Sequence, residues 1–313
     1  MTTRGGLAQR KTVLITGATS GIGRHAALHL AERGWRVFAT GRRTDALIAL
    51  AAESGGKVET LELDVTDGNS IARASADIDV CTSGYGLDVL INNAGYGAAG
   101  PTELITDSDL RAQYETNVFG AMAMIRAFVP AMRRRGHGRV INVSSLGGRF
   151  TLPLLGAYNS TKYALESLSD ALRVELRPFG VRVILIEPGT IHTGFADRSM
   201  LEATKYVNDA SSPYAGVLAK SGDLRRLSDR TAVGPACVSR AIERAMTARH
   251  PRARYVAPLR MGLGMALLRA LPTFVSDAIV GTLTGFSSKN LKALPEPARA
   301  ASAVPCAPEG RLH

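Results

Sequence analysis

From residue 12 to about 190 the chain alternates between short apolar runs and longer segments whose apolar positions recur at helical spacing. Thr12–Thr16 (TVLIT), Arg36–Thr40 (RVFAT), Val58–Leu63, Leu87–Asn92 (LDVLIN), Arg139–Ser144 (RVINVS) and Val181–Glu187 (VRVILIE) predict strands. Between them, 22–33, 107–134 and 157–177 predict helices. Strands that are apolar on both faces and separated by helices describe a parallel sheet covered on both sides. Because such crossovers are right-handed, the expected fold is α/β, with a doubly wound sheet.

Beyond the sixth strand the pattern weakens. Residues 192–232 suggest helices and loops inserted there. Residues 235–249 (PACVSRAIERAMTAR) resume as an amphipathic helix with Pro235 at its start, and RARYVAP at 252–258 supplies a strand that brings the sheet to about seven. The expected organisation is one domain over residues 11–258, preceded by a flexible segment 1–10. An apolar helical extension follows over 259–294, interrupted by Arg260 and Arg269, and then a disordered Pro- and Ala-rich tail, 295–313.

Composition narrows the class. The three cysteines, Cys81, Cys237 and Cys306, are far apart and lack metal-ligand spacing, so free thiols and no metal are expected. The first ten residues carry no apolar run of the signal-peptide kind, and no uncharged stretch reaches spanning length, so a cytoplasmic protein is expected. The formal net charge of +11 invites a nucleic-acid partner, but the charge is spread along the chain and aromatic residues are only 5%. A base-stacking surface needs aromatics among its cations, so no nucleic-acid partner is expected. The densest cluster, Arg133-Arg134-Arg135 before Gly136, suits a helix C-terminus, whose free carbonyls favour cations.

The first strand runs into Thr16-Gly17-Ala18-Thr19-Ser20-Gly21-Ile22-Gly23 and then a helical pattern. In such a turn Gly17 permits the tight bend, Gly21 lets backbone approach a pyrophosphate, and Gly23 allows close helix–strand packing, with helix amides aimed at the anion. This pattern predicts a Rossmann-like dinucleotide site. Its G-x3-G-x-G spacing resembles the short-chain dehydrogenase/reductase family, in its short one-domain branch, over roughly residues 10–260. At the end of the second strand, where a carboxylate would bind the ribose 2′-hydroxyl of NAD, the chain has Ala39-Thr40-Gly41-Arg42-Arg43. Two guanidiniums match a 2′-phosphate, and the resemblance also links arginine at position 42 to NADP(H), so NADP(H) is expected over NAD(H). The resemblance further implies adenine contacts at Asp64 and Val65, a flank at Asn93-Ala94-Gly95, and a nicotinamide-side loop at Pro188, Gly189, Ile191 and Thr193.

Tyr158-Asn159-Ser160-Thr161-Lys162 places a phenol and an ammonium on one helix face. A free phenol titrates near pH 10, about three units above neutrality, and a nearby cation is expected to lower it into the working range. Tyr163, the competing phenol, has Ser167 rather than lysine four residues on. Ser145 ends the fifth strand where a carbonyl oxygen needs a donor; Ser144 is adjacent, but Ser145 has the family's usual separation from the tyrosine. Asn117 matches the family's fourth member, whose amide would bend its helix and hold a relay water. The resemblance leaves His192 no role.

Together these residues imply an oxidoreductase that moves hydride between NADP(H) and an alcohol–carbonyl pair, with Tyr158 as general acid and base. Phe195, Met200, Leu201, Tyr206 and Tyr214 suggest an apolar pocket, and the chain looks like the branch of 17β-hydroxysteroid and retinol dehydrogenases. A steroid, retinoid or long-chain carbonyl is therefore expected, in a homodimer or homotetramer. The alternatives are a reductase of small or polyketide-type ketones and a noncatalytic dinucleotide sensor. Residues 258–286 either dock on a membrane surface or cover the pocket or a subunit interface.

Overall fold

The computed structural model describes residues 11–195, 199, 205–206, 212–218 and 229–286. Seven strands form one parallel sheet in the order β3-β2-β1-β4-β5-β6-β7. They are β1 (Thr12–Ile15), β2 (Arg36–Gly41), β3 (Val58–Glu62), β4 (Val89–Asn92), β5 (Gly138–Val143), β6 (Val181–Pro188) and β7 (Arg254–Ala257). The crossover helices are α1 (Gly21–Glu32), α2 (Thr44–Glu53), α3 (Gly68–Cys81), α4 (Asp107–Tyr114), α5 (Ala121–Arg135), α6 (Gly156–Glu175) and α7 (Ala236–Thr247). The expected doubly wound sheet is present.

The apolar strands follow from helices on both faces. Val13 and Ile15 point to one side, where they pack with Ala26, Leu30 and Ile242, whereas Leu14 points to the other with Phe38, Met124 and Met132. All three β1 residues are fully buried, so each side of the strand's period-two alternation meets a core. The strand order reverses beside β1, between β2 and β4, and this opens a crevice at the carboxyl ends of the strands.

The single helix expected over 107–134 is instead α4, a π-helical turn at Glu115–Gly120, and α5. The wide turn sets Gly120 against the end of β3, where a methyl group at Gly120 would lie 2.8 Å from Val65 Cγ2. The three arginines fill the last turn of α5 as expected, and Gly136 ends it with φ of +72°.

After β7 come α8 (Leu259–Arg269) and α9 (Thr273–Thr284). Neither contains a buried residue. The first turn of α8 is anchored, since methyl groups at Gly189 and Gly262 would lie 2.3 Å from Met261 Sδ and 2.7 Å from Val256 Cγ1. Farther along, Leu267 is 71% exposed and Phe274 76%. Among the described residues no helix is long and apolar enough to cross a membrane. The segments 1–10 and 295–313, together with Met200, Leu201 and Cys306, lie outside the described residues.

Candidate active site

The phosphate turn is shaped by what a side chain would strike. Gly17 has φ of +66°, and a methyl group there would lie 2.8 Å from Ala94 Cα. At Gly23 it would lie 2.4 Å from Asn93 Nδ2. These contacts exist because the turn is laced to the end of β4. The Thr16 hydroxyl accepts from the amides of Asn93 and Ala94 at 3.0 Å each, and Asn93 Nδ2 donates to Thr16 O at 2.9 Å and to Gly17 O at 3.1 Å. Ser20 precedes α1 in extended conformation with no side-chain cap, and Ile22 packs on the core. The turn therefore combines close backbone with a helix N-terminus, the cradle that a dinucleotide pyrophosphate needs.

At the neighbouring strand ends, Thr19 Oγ1 and Cγ2 crowd Gly41, and Arg43 Nη2 donates to Thr19 O at 3.2 Å. The exposed Arg42 guanidinium lies 3.7 Å from Asp64 Oδ2. Burial works to raise the Asp64 carboxyl, but hydrogen bonds from Thr66 and the charge of Arg42 outweigh it and hold it below the usual range. Val65 is buried beside it. On the far side Gly189 donates its amide to Ala257 O at 2.9 Å, Ile191 pairs with Val233, and Thr193 lies over Gly21, where a methyl group would meet it at 3.3 Å. All the expected cofactor residues thus gather along the carboxyl edge of the sheet. His192 is exposed.

Helix α6 presents the proton-transfer groups. Tyr158 and Lys162 are buried on the same face, whereas Tyr163 is 42% exposed. The Lys162 ammonium donates to Val143 O at 2.9 Å and sits 5.8 Å from the Tyr158 ring centroid. Ser145 opens the short turn Leu146–Gly148, its hydroxyl accepting from the Gly147 amide at 2.9 Å. That hydroxyl also lies close enough to the phenol to favour its ionised form. Two residues not singled out in the sequence fix this arrangement. Asn159 Nδ2 donates to Gly147 O at 2.7 Å and so ties α6 to the serine turn. Thr161 donates to Tyr158 O at 2.7 Å and accepts from Asn117 Nδ2 at 3.0 Å.

Asn117 lies in the π-helical turn, as its expected bend requires. Its amide group holds the chain after β4, accepting from Tyr96 N at 3.1 Å and donating to Tyr96 O at 2.9 Å. It therefore clamps the flank that contains Gly95; a methyl group at Gly95 would lie 3.0 Å from Asn117 Oδ1 and 3.7 Å from Lys162 Nζ.

The protonation balance differs from the expectation that Lys162 would lower the phenol. Burial pushes Tyr158 up to about 12, with the Ser145 hydroxyl pulling the other way. Burial also pulls Lys162 down to about 8, against the opposing charge of Glu166. Desolvation is the largest influence on both groups. The phenol holds its proton at neutral pH.

Apolar walls flank this centre. The Phe195 ring lies 5.2 Å from that of Tyr158 and fills the space before Gly97, and Tyr206 packs on Gly100. Tyr214 is placed differently, with its hydroxyl on Glu103 Oε1 at 2.5 Å and its ring 6.3 Å from Phe286. Cys81 and Cys237 are free thiols, and no group of potential metal ligands occurs among the described residues.

Comparison with known proteins places this geometry. The family profile described as short chain dehydrogenase matches residues 11–203. A 3-ketodihydrosphingosine reductase of Bacteroides thetaiotaomicron is 37% identical over 253 residues, covering 80% of this chain and 89% of that protein. Human retinol dehydrogenase 16 is 34% identical over 281 residues, covering 86% and 87%. Among solved structures, a short-chain dehydrogenase from Streptomyces avermitilis superposes with a TM-score of 0.69 at 33% identity, covering 88% of this chain and 96% of that one.

Proposed function

The chain belongs to the short-chain dehydrogenase family, and on that premise we propose that it is an NADP(H)-dependent oxidoreductase acting on a bulky lipophilic carbonyl or alcohol, with Tyr158 as proton donor and acceptor. The observation that supports this most is the convergence of Tyr158, Lys162 and Ser145 on one edge of the sheet, beside a phosphate cradle.

When bound, the nicotinamide supplies or accepts the hydride. Gly17, Thr19, Ser20, Gly21, Ile22 and Gly23 hold the pyrophosphate with backbone, and Arg42 and Arg43 offer paired donors to a 2′-phosphate. Asp64 and Val65 flank the adenine, Asn93, Ala94 and Gly95 wall the cleft, and Pro188, Gly189, Ile191 and Thr193 close its nicotinamide side. The Tyr158 and Ser145 hydroxyls both donate to the carbonyl oxygen as negative charge develops there, and Tyr158 releases its proton to that oxygen. Lys162 faces the phenol and stabilises the phenolate that remains.

The substrate class is inferred from the apolar wall at Phe195 and Tyr206 and from relatives named for a ketodihydrosphingosine and a retinol. The test is NADPH oxidation with steroid, retinoid, long-chain and small ketones. The highest kcat/KM is expected for the large apolar carbonyls, and Tyr158→Phe should lower kcat by about a thousandfold. Preference for small ketones would overturn the substrate reading, and substantial turnover by the phenylalanine variant would overturn the role of Tyr158.

A further inference from the structure

Behind the proton-transfer groups lies a charged cluster that the proposed chemistry does not use directly. Tyr158, Lys162, Glu166 and Asp170 recur every four residues along α6, so they form one row. Glu166 is 6% exposed, and Glu187, on β6, is fully buried. Arg254 of β7 reaches between them, with Nε 3.0 Å from Glu166 Oε2 and 3.1 Å from Glu187 Oε1. Its Nη2 donates to Asp170 Oδ2 at 2.6 Å, and Arg149 Nη1 donates to Glu187 Oε2 at 3.3 Å.

Buried charge of this kind is poor value as a stabiliser, because desolvating each ion offsets much of the attraction and apolar residues of equal volume hold a fold as well. Its location supplies a better account. Glu187 directly precedes Pro188-Gly189, Arg149 directly follows the turn that Ser145 opens, and Glu166 is one helical turn beyond Lys162. The three segments that form the active site are thus joined through Arg254.

We propose that Glu166 is a positioning residue for Lys162, its carboxylate being the counter-charge one helical turn from the buried ammonium, with Arg254 as the cation that holds Glu166 in place and ties it to Glu187. This rests on the catalytic reading of Lys162. The groups that face Lys162 from elsewhere are neutral. They are the Tyr158 phenol on its own helix, Val143 O of β5, and Asn117 of the π-helical turn, near Gly95. Glu166 is the acidic neighbour that acts on the ammonium, and it raises Lys162 against burial. Burial, and after it the charge of Glu187, push the Glu166 carboxyl up, while the Ser144 hydroxyl and then Arg254 pull it back.

The test reads the lysine itself, independently of substrate. In the full chain carrying 13Cε-labelled lysine, NMR titration follows each ammonium, and the Lys162 signal is identified by its loss in Lys162→Arg. Lys162 should titrate near the value of about 8 set by its surroundings. In Glu166→Gln its pKa should fall by about one unit, whereas Glu166→Asp, which keeps the charge, should hold it within about half a unit. A titration unchanged in Glu166→Gln overturns the proposal, because a purely structural role would alter stability without moving Lys162. If the glutamine variant does not fold, Arg254→Gln replaces it: removing that cation should also lower the pKa of Lys162, and no movement there is equally fatal. Catalysis by Lys162→Met is a separate measurement. Full activity in that variant would sink the catalytic reading of Lys162 while leaving the titration result intact.

Discussion

Helices α6 and α8 invert the usual relation between composition and burial. The buried face of α6 includes Tyr158, Asn159, Thr161, Lys162, Glu166 and Ser169, while α8 is largely Leu, Met, Ala and Gly and buries none of its residues. The difference is one of connection. α6 joins β5 to the parallel β6 and must lie against the sheet, whereas α8 follows β7 and leads to no further strand among the described residues. Polar groups survive burial best with partners, and several on α6 have them, including Asn159 Nδ2 on Gly147, Thr161 on Tyr158 and Ser169 on Leu165. Topology decides which helix enters the core, and chemistry is assembled where polar residues are forced inward.

That contrast can be broken most sharply at Lys162. Lys162→Met should lower kcat by about a hundredfold to ten-thousandfold, yet stabilise the fold at pH 7 by about 1–3 kcal/mol. The sign follows from a native pKa of about 8 against 10.5 for the model group. The unfolded chain binds that proton more tightly, so wild-type stability is lowest below pH 8 and recovers as pH rises towards 10.5. Urea unfolding of both proteins at pH 7 and pH 10 should show the advantage of the variant shrinking at the higher pH. A loss of both activity and stability would mean that Lys162 is a structural anchor.

A smaller effect separates the apolar positions. Leu165→Ala on α6, where the side chain is 2% exposed, should cost about 2–5 kcal/mol, whereas Leu267→Ala on α8 should stay within about 0.5 kcal/mol. Comparable losses at the two sites would show that α8 is covered in solution. A change smaller than that at Leu165 is expected at Arg42, which is exposed like α8 but is assigned a ligand. Arg42→Ala should reduce the NADPH-over-NADH ratio of kcat/KM by about tenfold, near 1.4 kcal/mol, and an unchanged ratio would return Arg42 to its ion pair with Asp64 alone.

Local signals were legible in the sequence. Seven apolar runs became seven strands, and the glycine turn, Ser145, Tyr158 and Lys162 came together because each lies at a strand end or on the helix that follows. What stayed hidden depends on distant partners. The π-helical turn at 115–120 contains Asn117, which bonds Tyr96 across 21 residues. Arg254 meets Glu166 across 88 residues. The direction of the Tyr158 shift was also hidden, since spacing reveals a nearby cation but not how completely both groups lose water. The extension was legible as apolar and helical, but not as exposed.

The position of β1 has a consequence for time. It lies between β2 and β4, and its first residue donates its amide to Asp88, 76 positions later. A chain emerging from the ribosome therefore makes β1 well before β4 and completes the pairing of β1 only after β4 has been synthesised. At about 5–20 residues per second, that leaves several seconds with one edge of β1 open. Closing such long loops is what slows parallel sheets. Until Asn93 reaches Thr16, the glycine turn at 17–23 has no floor, so a segment made before β4 takes its working shape only after β4 is in place.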